Sequence, residues 1–280
     1  MDEVSIVKFV EDDLSFGKSL TDIQGWNRSL STWRRMLRVS PDGFLKATLE
    51  GKDIGIAAVL SYGKVAWINS VIVSEDYRGR GVGRALVKKC ITRAWEAGAE
   101  TIRLDSVPNV ISFYAELGFT EEYPSLRMNR IGEPWQGGAD LMVEEDLEEV
   151  ITFDRTFTRM SRGRLLESIF RDNPGKAFIL RDLHGVRGYL LSSQSDVSVD
   201  LGPCVCRPRD DRCASILISS AMAIEPNMKY RVCLSERNLA AVVVLNDLGF
   251  EKAISAMRMS QGRRFVETES NYLMISPAEG

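Results

Sequence analysis

The stretch from Val71 to Leu86, VIVSEDYRGRGVGRAL, constrains this chain more than any other. A short β-branched run leads into a charged turn, a glycine-dense loop and a helix-like segment. The loop Arg78-Gly79-Arg80-Gly81-Val82-Gly83 has a glycine at every second position. It can turn tightly, and it leaves no side chains between its backbone and a bound group. Leu86, Cys90 and Ala94 then recur at four-residue spacing beside Val87, Ile91 and Trp95, which predicts a helix with an apolar face. Gly98 is placed to stop it. A glycine loop that opens a helix aims free N–H groups and the positive end of the helix dipole at one point. That point suits a phosphate or pyrophosphate, and Arg78, Arg80 and Arg84 add positive charge.

Two phosphate loops are excluded by spacing. A GxGxxG frame starting at Gly81 puts Leu86 at its last glycine, and Arg84 stands where the lysine of a P-loop should follow its glycine. What fits is R-x-x-G-x-G, from Arg78 through Gly81 to Gly83, after a strand ending Val71-Ile72-Val73. This resembles the acyl-CoA pyrophosphate loop of the GNAT acetyltransferases. Residues 101–119, TIRLDSVPNVISFYAELGF, extend the resemblance. A strand, a polar Asn109 able to cap a helix, Tyr114 and then Gly118-Phe119 follow in the family's order. A core aromatic at Tyr114 and a helix stop at Gly118 are the plainer readings of each residue alone.

The pattern then recurs. Residues 131–141, IGEPWQGGADL, read as a linker broken by Pro134, Gly137 and Gly138, with Trp135 placed to pin it to something apolar. Beyond it the order of helix-like and strand-like segments returns. Gly118-Phe119 maps to Gly249-Phe250 at an offset of 131, and Arg127-Met128 maps to Arg258-Met259. A duplicated domain is the simplest explanation. At that offset Gly81 falls on Arg212, Gly83 on Ala214 and Tyr114 on Leu245, so the second copy has lost the loop glycines and the tyrosine. The expected organisation is an α/β (α+β) chain of tandem GNAT folds, each a mixed, mostly antiparallel sheet flanked by helices. Residues 1–130 form the catalytic domain, 131–141 the linker and 142–280 a degenerate copy. Gly25-Trp26-Asn27, Phe153-Asp154-Arg155, Gly188-Tyr189 and Gly202-Pro203 resemble the two-domain subfamily.

Composition narrows the function. The 280 residues suffice for two cores, and a net charge of −3 gives no bulk field for nucleic acid or an anionic membrane. There is no apolar run of spanning length and MDEVSIVKF is not a signal peptide, so a cytoplasmic protein is expected. Cys90, Cys204, Cys206, Cys213 and Cys233 include one C-x-C and no C-x-x-C, which favours free buried thiols over a metal site. His184 is the single histidine and reads as a turn residue, so histidine-dependent chemistry is not expected.

The resemblance implies transfer of an acetyl group from acetyl-CoA, as co-substrate and without a metal, to an amine. It implies that the Val71-Ile72-Val73 strand, Arg78, Gly79, Arg80, Gly81, Val82, Gly83, Arg84 and Asn109 hold acetyl-CoA. A backbone N–H near Val73 would polarise the thioester carbonyl. Tyr114 is the expected acid for the departing thiolate, being protonated at neutral pH. Asp105 could accept the amine's proton, or could equally be an exposed or helix-capping carboxylate. Trp26, Asn27 and Asn69 are the candidate acceptor-side residues, although Trp26 could simply anchor its loop. A small-molecule amine is the expected acceptor, with the chain a monomer or homodimer. The alternatives are a non-catalytic acyl-CoA sensor and a protein N-terminal or lysine acetyltransferase.

Overall fold

The computed structural model describes residues 4–26, 28–132, 137–194, 198–225, 227–276 and 279–280. Asn27 and Trp135, both singled out above, lie outside the described residues. β1 (Ser5–Lys8) leads into α1 (Leu14–Ile23) and α2 (Leu30–Val39). Ser29 caps α2, its hydroxyl accepting the Thr32 N–H at 3.1 Å. Gly17 lets α1 approach the chain closely: a Cβ there would stand 2.9 Å from the Phe9 ring. Three antiparallel strands follow: β2 (Phe44–Leu49), β3 (Lys52–Tyr62) and β4 (Val65–Val73). Then come α3 (Val82–Glu96), β5 (Thr101–Ser106) parallel to β4, α4 (Ile111–Ala115) and β6 (Thr120–Ile131).

The second half repeats this order. It runs β7 (Asp140–Leu141), α5 (Leu147–Thr158), α6 (Gly163–Asp172), β8 (Ala177–Asp182), β9 (Gly185–Gln194) and β10 (Ser198–Cys206). It continues with α7 (Asp211–Met222), β11 (Lys229–Ser235), α8 (Leu239–Asp247), β12 (Glu251–Gly262) and β13 (Asn271–Leu273). The expected tandem of mostly antiparallel, helix-flanked sheets is therefore what the chain adopts.

The sheet runs on across the stretch between the two halves. All the strands join one sheet, in the order β1-β2-β3-β4-β5-β12-β6-β11-β10-β9-β8-β7. The last strand of each half has changed places. β12 pairs with β5, Arg258 opposite Asp105, while β6 pairs with β11, Arg127 opposite Cys233. β6 and β12 also pair with each other at the centre. The reason lies in the repeat itself. The two strands begin after the same Gly-Phe and share an Arg-Met pair at the same distance, so either can close either half. A cut at 131–141 therefore does not divide the sheet, and both ends of that stretch are strand: Ile131 ends β6, and Asp140 pairs with Ile179 in β8.

The cores follow the same plan. One is shared: Trp33 and Met36 of α2 and Val150, Leu165 and Ile169 of α5 and α6 belong to a single buried cluster. The other two each lie under one helix and take in the exchanged strand: Leu86, Val87 and Cys90 of α3 with Met259 of β12, and Cys213, Leu217 and Ile218 of α7 with Leu126 and Met128 of β6. All five cysteines are buried free thiols. No helix among the described residues is long and apolar enough to cross a membrane.

Candidate active site

β4 and β5 start as neighbours and then part. Their parallel register runs from Val65 opposite Thr101 to Trp67 opposite Arg103 and stops there. Beyond it, β4 continues to Val73 with an open edge. A β-bulge sets what that edge presents. Ile72 lies opposite Ile56 and Asn69 opposite Ala58, so Ser70 and Val71 together face the single residue Ala57. Ser70 takes φ 54°, unusual for a residue with a side chain. Without the extra residue, strand alternation would turn the Val71 and Val73 backbone groups toward β3, as it turns those of Asn69. With it, they turn to the open side. Ser74 N–H bonds back to Ile54 O at 2.9 Å, while Val73 O receives Arg78 Nε at 3.1 Å from outside the sheet. The parity thus leaves the Val71 and Val73 N–H groups facing the cleft.

α3 begins at the mouth of this cleft. Its N-cap is Gly81 at φ 80°, a left-handed conformation that glycine adopts without strain, and no side chain caps the helix. A Cβ at Gly79 or Gly81 would meet nothing within 4 Å, so the loop is open on the ligand side. At Gly83 it would touch Val73 and Phe113 at 3.6 and 3.8 Å. Arg80 packs over the Tyr77 ring at 5.5 Å, and Arg84 is paired with Glu116. An uncapped helix N-terminus, a glycine backbone and nearby guanidiniums are a fit for pyrophosphate.

Tyr114 lies in α4 against Phe113 and Phe119, edge-on to both at 5.0 and 6.0 Å. It is buried, and burial pushes its phenol above its ordinary range, with Cys90 adding to the shift. The hydroxyl is therefore protonated throughout the physiological range. Asn109 is exposed in a short turn, and it caps neither that turn nor α4. The helix-capping expected of it is not its role, because α4 starts two residues later. Trp26 is 37% exposed at the end of the α1 segment.

Asp105 is a buried partner of Arg258 rather than an exposed or helix-capping carboxylate. Its side chain is 1% exposed and paired with Arg258 of the exchanged β12 at 2.6 Å, and Ser125 donates to its other oxygen at 2.9 Å. Arg258 and Ser125 together engage both oxygens of the carboxylate. Sequence showed a carboxylate at a strand end; its partner lies 153 residues away.

The acetyltransferase (GNAT) family model matches residues 10–119, and a second GNAT acetyltransferase domain model matches 150–273. The chain belongs to the GNAT acetyltransferases. A Bacillus subtilis relative described as the uncharacterized N-acetyltransferase YitH is 24% identical over 98% of both chains. Holothin acyltransferase of a Pseudoalteromonas strain is 21% identical over 85% of this chain and 81% of its own length. Among solved structures, one from Pyrococcus horikoshii superposes with TM-score 0.82 at 23% identity, covering 99% of this chain and 96% of that one. A tandem GNAT protein from the clavulanic acid biosynthesis pathway gives 0.65 at 14% identity, covering 95% and 100%. These likenesses show the tandem GNAT fold.

Within that fold the two copies differ at the phosphate loop by more than glycines. Up to β10 the copies correspond at an offset of 133 rather than 131, so a constant offset misplaces the loop. Eight residues join β4 to α3, but only four join β10 to α7. The helix end is also occupied by the protein's own carboxylate: Asp210 accepts the Cys213 N–H at 3.2 Å while Arg187 holds it from the other side. The cleft is filled as well. β10 and β11 part after Leu201 and Val232, and β13 enters there, Leu273 pairing with Cys204 while Met274 N–H bonds to Cys233 O at 2.8 Å. The second GNAT copy thus carries its own chain where the first has an open edge. Among the described residues no group of three or more His, Cys, Asp or Glu side chains is placed to hold a metal ion.

Proposed function

We propose that this chain transfers an acetyl group from acetyl-CoA to the amine of a small-molecule acceptor by direct attack, at one site in the first half. The observation that carries the reading is the bulged, open edge of β4 running into the uncapped N-terminus of α3. The co-substrate supplies an acyl thioester and an anionic pyrophosphate. The first turn of α3 and the Arg78–Gly83 loop hold the phosphates. Val71 and Val73 bind through main-chain groups along the open edge, and a backbone N–H there faces the carbonyl oxygen as negative charge grows on it. Tyr114 gives its proton to the leaving sulfur, a task its buried, protonated phenol suits, and the proton that the amine nitrogen loses as the amide forms passes to solvent, from which the tyrosine is reprotonated. The relative whose name specifies holothin as acceptor supports a small molecule over a protein.

Two results test this. Tyr114→Phe is expected to lower kcat by roughly 10²- to 10⁴-fold while leaving the Kd for acetyl-CoA unchanged. Equal kcat in the two proteins would remove Tyr114 from the reaction. Calorimetric titration with acetyl-CoA is expected to give one site per chain, because β13 and Asp210 close the second copy; two sites would overturn that. An acyl-CoA sensor would bind in the same titration and turn over no amine.

A further inference from the structure

Arg28 lies in the segment between α1 and α2, two residues after Trp26, and reaches the bulge of β4. Its Nη1 donates to Ser70 Oγ at 2.6 Å, and Ser70 Oγ donates in turn to Asn69 Oδ1 at 2.6 Å. This short relay runs in one direction, from the guanidinium through the hydroxyl to the amide oxygen. Ser70 Oγ receives from Arg28, and Asn69 Oδ1 receives from Ser70. The donors left over lie on Arg28 and Asn69. A guanidinium carries five N–H donors, of which Ser70 takes one, and the Asn69 amide nitrogen is buried without a partner among the described residues. Asn69 is 7% exposed.

The charge around Arg28 is also incomplete. Its guanidinium stacks over the Trp33 ring at 5.1 Å and makes no carboxylate pair among the described residues. The carboxylate that influences it, Glu279, is already held by Arg35 at 3.1 Å and by Ser276 at 3.0 Å. Burial accordingly lowers the Arg28 pKa to about 10, with Glu279 only partly offsetting it. The side chain still keeps some surface. A partly accessible, desolvated guanidinium beside an unpartnered amide N–H is a cradle for an oxyanion. The cradle sits one residue before Val71, the start of the open edge. An amine reaching the acyl group from the α1–α2 side would pass it.

We propose that Arg28 and Asn69 bind an anionic group, carboxylate or phosphate, on the acceptor amine, so that this acetyltransferase selects amines carrying a second, oxyanionic function. The proposal rests on the acyl-transfer reading of the same cleft for its context. The salt bridge comes from Arg28 and the fixed N–H from Asn69.

The test uses the full chain with saturating acetyl-CoA and a panel of matched pairs. The common α-amino acids are each assayed beside their amides, and amino-sugar phosphates beside the unphosphorylated sugars. The expected result is that an oxyanionic member is turned over with kcat/KM roughly 10- to 100-fold above its neutral partner, the size of one charge-assisted contact. Arg28→Met is expected to erase that preference by raising KM for the anionic member far more than for its neutral partner. Arg28→Lys, which keeps the charge without the fork, should restore part of it. Asn69→Leu should weaken the anionic member less than Arg28→Met does. In parallel, binding of each pair to the CoA-loaded protein is measured by calorimetry. Turnover without preference, or equal loss on both members in Arg28→Met, overturns the proposal while the transferase reading stands. Arg28-dependent binding of the oxyanionic members without turnover supports this site and overturns the transferase reading. No oxyanionic member binding or reacting overturns the proposal.

Discussion

Gly81→Glu is expected to weaken acetyl-CoA binding by at least roughly 100-fold while leaving the fold intact. Two physical changes act together. Gly81 sits at φ 80°, where an L-residue costs about 1–2 kcal/mol, so the loop relaxes away from the geometry that aims its N–H groups. The new carboxylate also lies at the positive end of α3, where it takes up the interaction meant for pyrophosphate and repels the ligand's own charge. The second copy already shows this arrangement in natural form, with Asp210 capping α7. A Cβ at Gly81 meets nothing within 4 Å, so the side chain enters open space and the core under α3 is untouched. Calorimetry gives the affinity and the unliganded melting temperature gives the fold. Gly81→Ala separates the two causes: it carries the strain without the charge and should lose about tenfold or less. If Gly81→Glu binds acetyl-CoA like the unaltered protein, the N-terminus of α3 is not the phosphate site.

The loop was legible because its chemistry is local. Glycines at alternating positions before an apolar helix mean the same thing wherever they occur. The internal repeat was legible for a similar reason, since Gly-Phe and Arg-Met recur with the same element order. What the sequence could not carry was pairing at a distance. β6 and β12 are near-copies, so nothing in either states which half it closes. Asp105 read as a free carboxylate because its partner Arg258 lies on that exchanged strand. The bulge at Ser70 was hidden because a positive φ in a serine leaves no pattern, although two small polar residues inside an apolar strand were its trace. Arg28 was missed because one arginine in a connecting segment looks like any solvated charge. Only its contact with the bulge distinguishes it.

Arg258→Met is expected to destabilise the protein by about 3–5 kcal/mol, the cost of leaving a buried charge without its partner. Arg258 is fully buried, stacks over Trp67 at 4.3 Å, and meets Asp105 at 2.6 Å and Glu267 at 3.0 Å. Removing it strands Asp105 at the seam where β12 enters the first half. The double variant Arg258→Met/Asp105→Leu should recover most of the loss, since a buried ion pair replaced by apolar groups is often nearly neutral. The strand exchange makes a further demand on the denaturation curve. Each half holds the other's last strand, so the halves should unfold in one transition rather than two. Acid acts on the same network through Glu267. Burial pushes its carboxyl up, but Arg103 and Arg258, with the Tyr123 hydroxyl donating to it, outweigh burial and bring it from 4.5 to about 2. The unfolded chain therefore holds that proton more tightly than the folded one. Glu267's contribution is complete above pH 4.5 and is lost as pH falls toward 2, so stability must drop across that window. Glu267→Gln should flatten the drop. A single variant Arg258→Met within about 1 kcal/mol of the parent would mean that backbone pairing alone holds β12 on β5. The seam would then owe nothing to its charges.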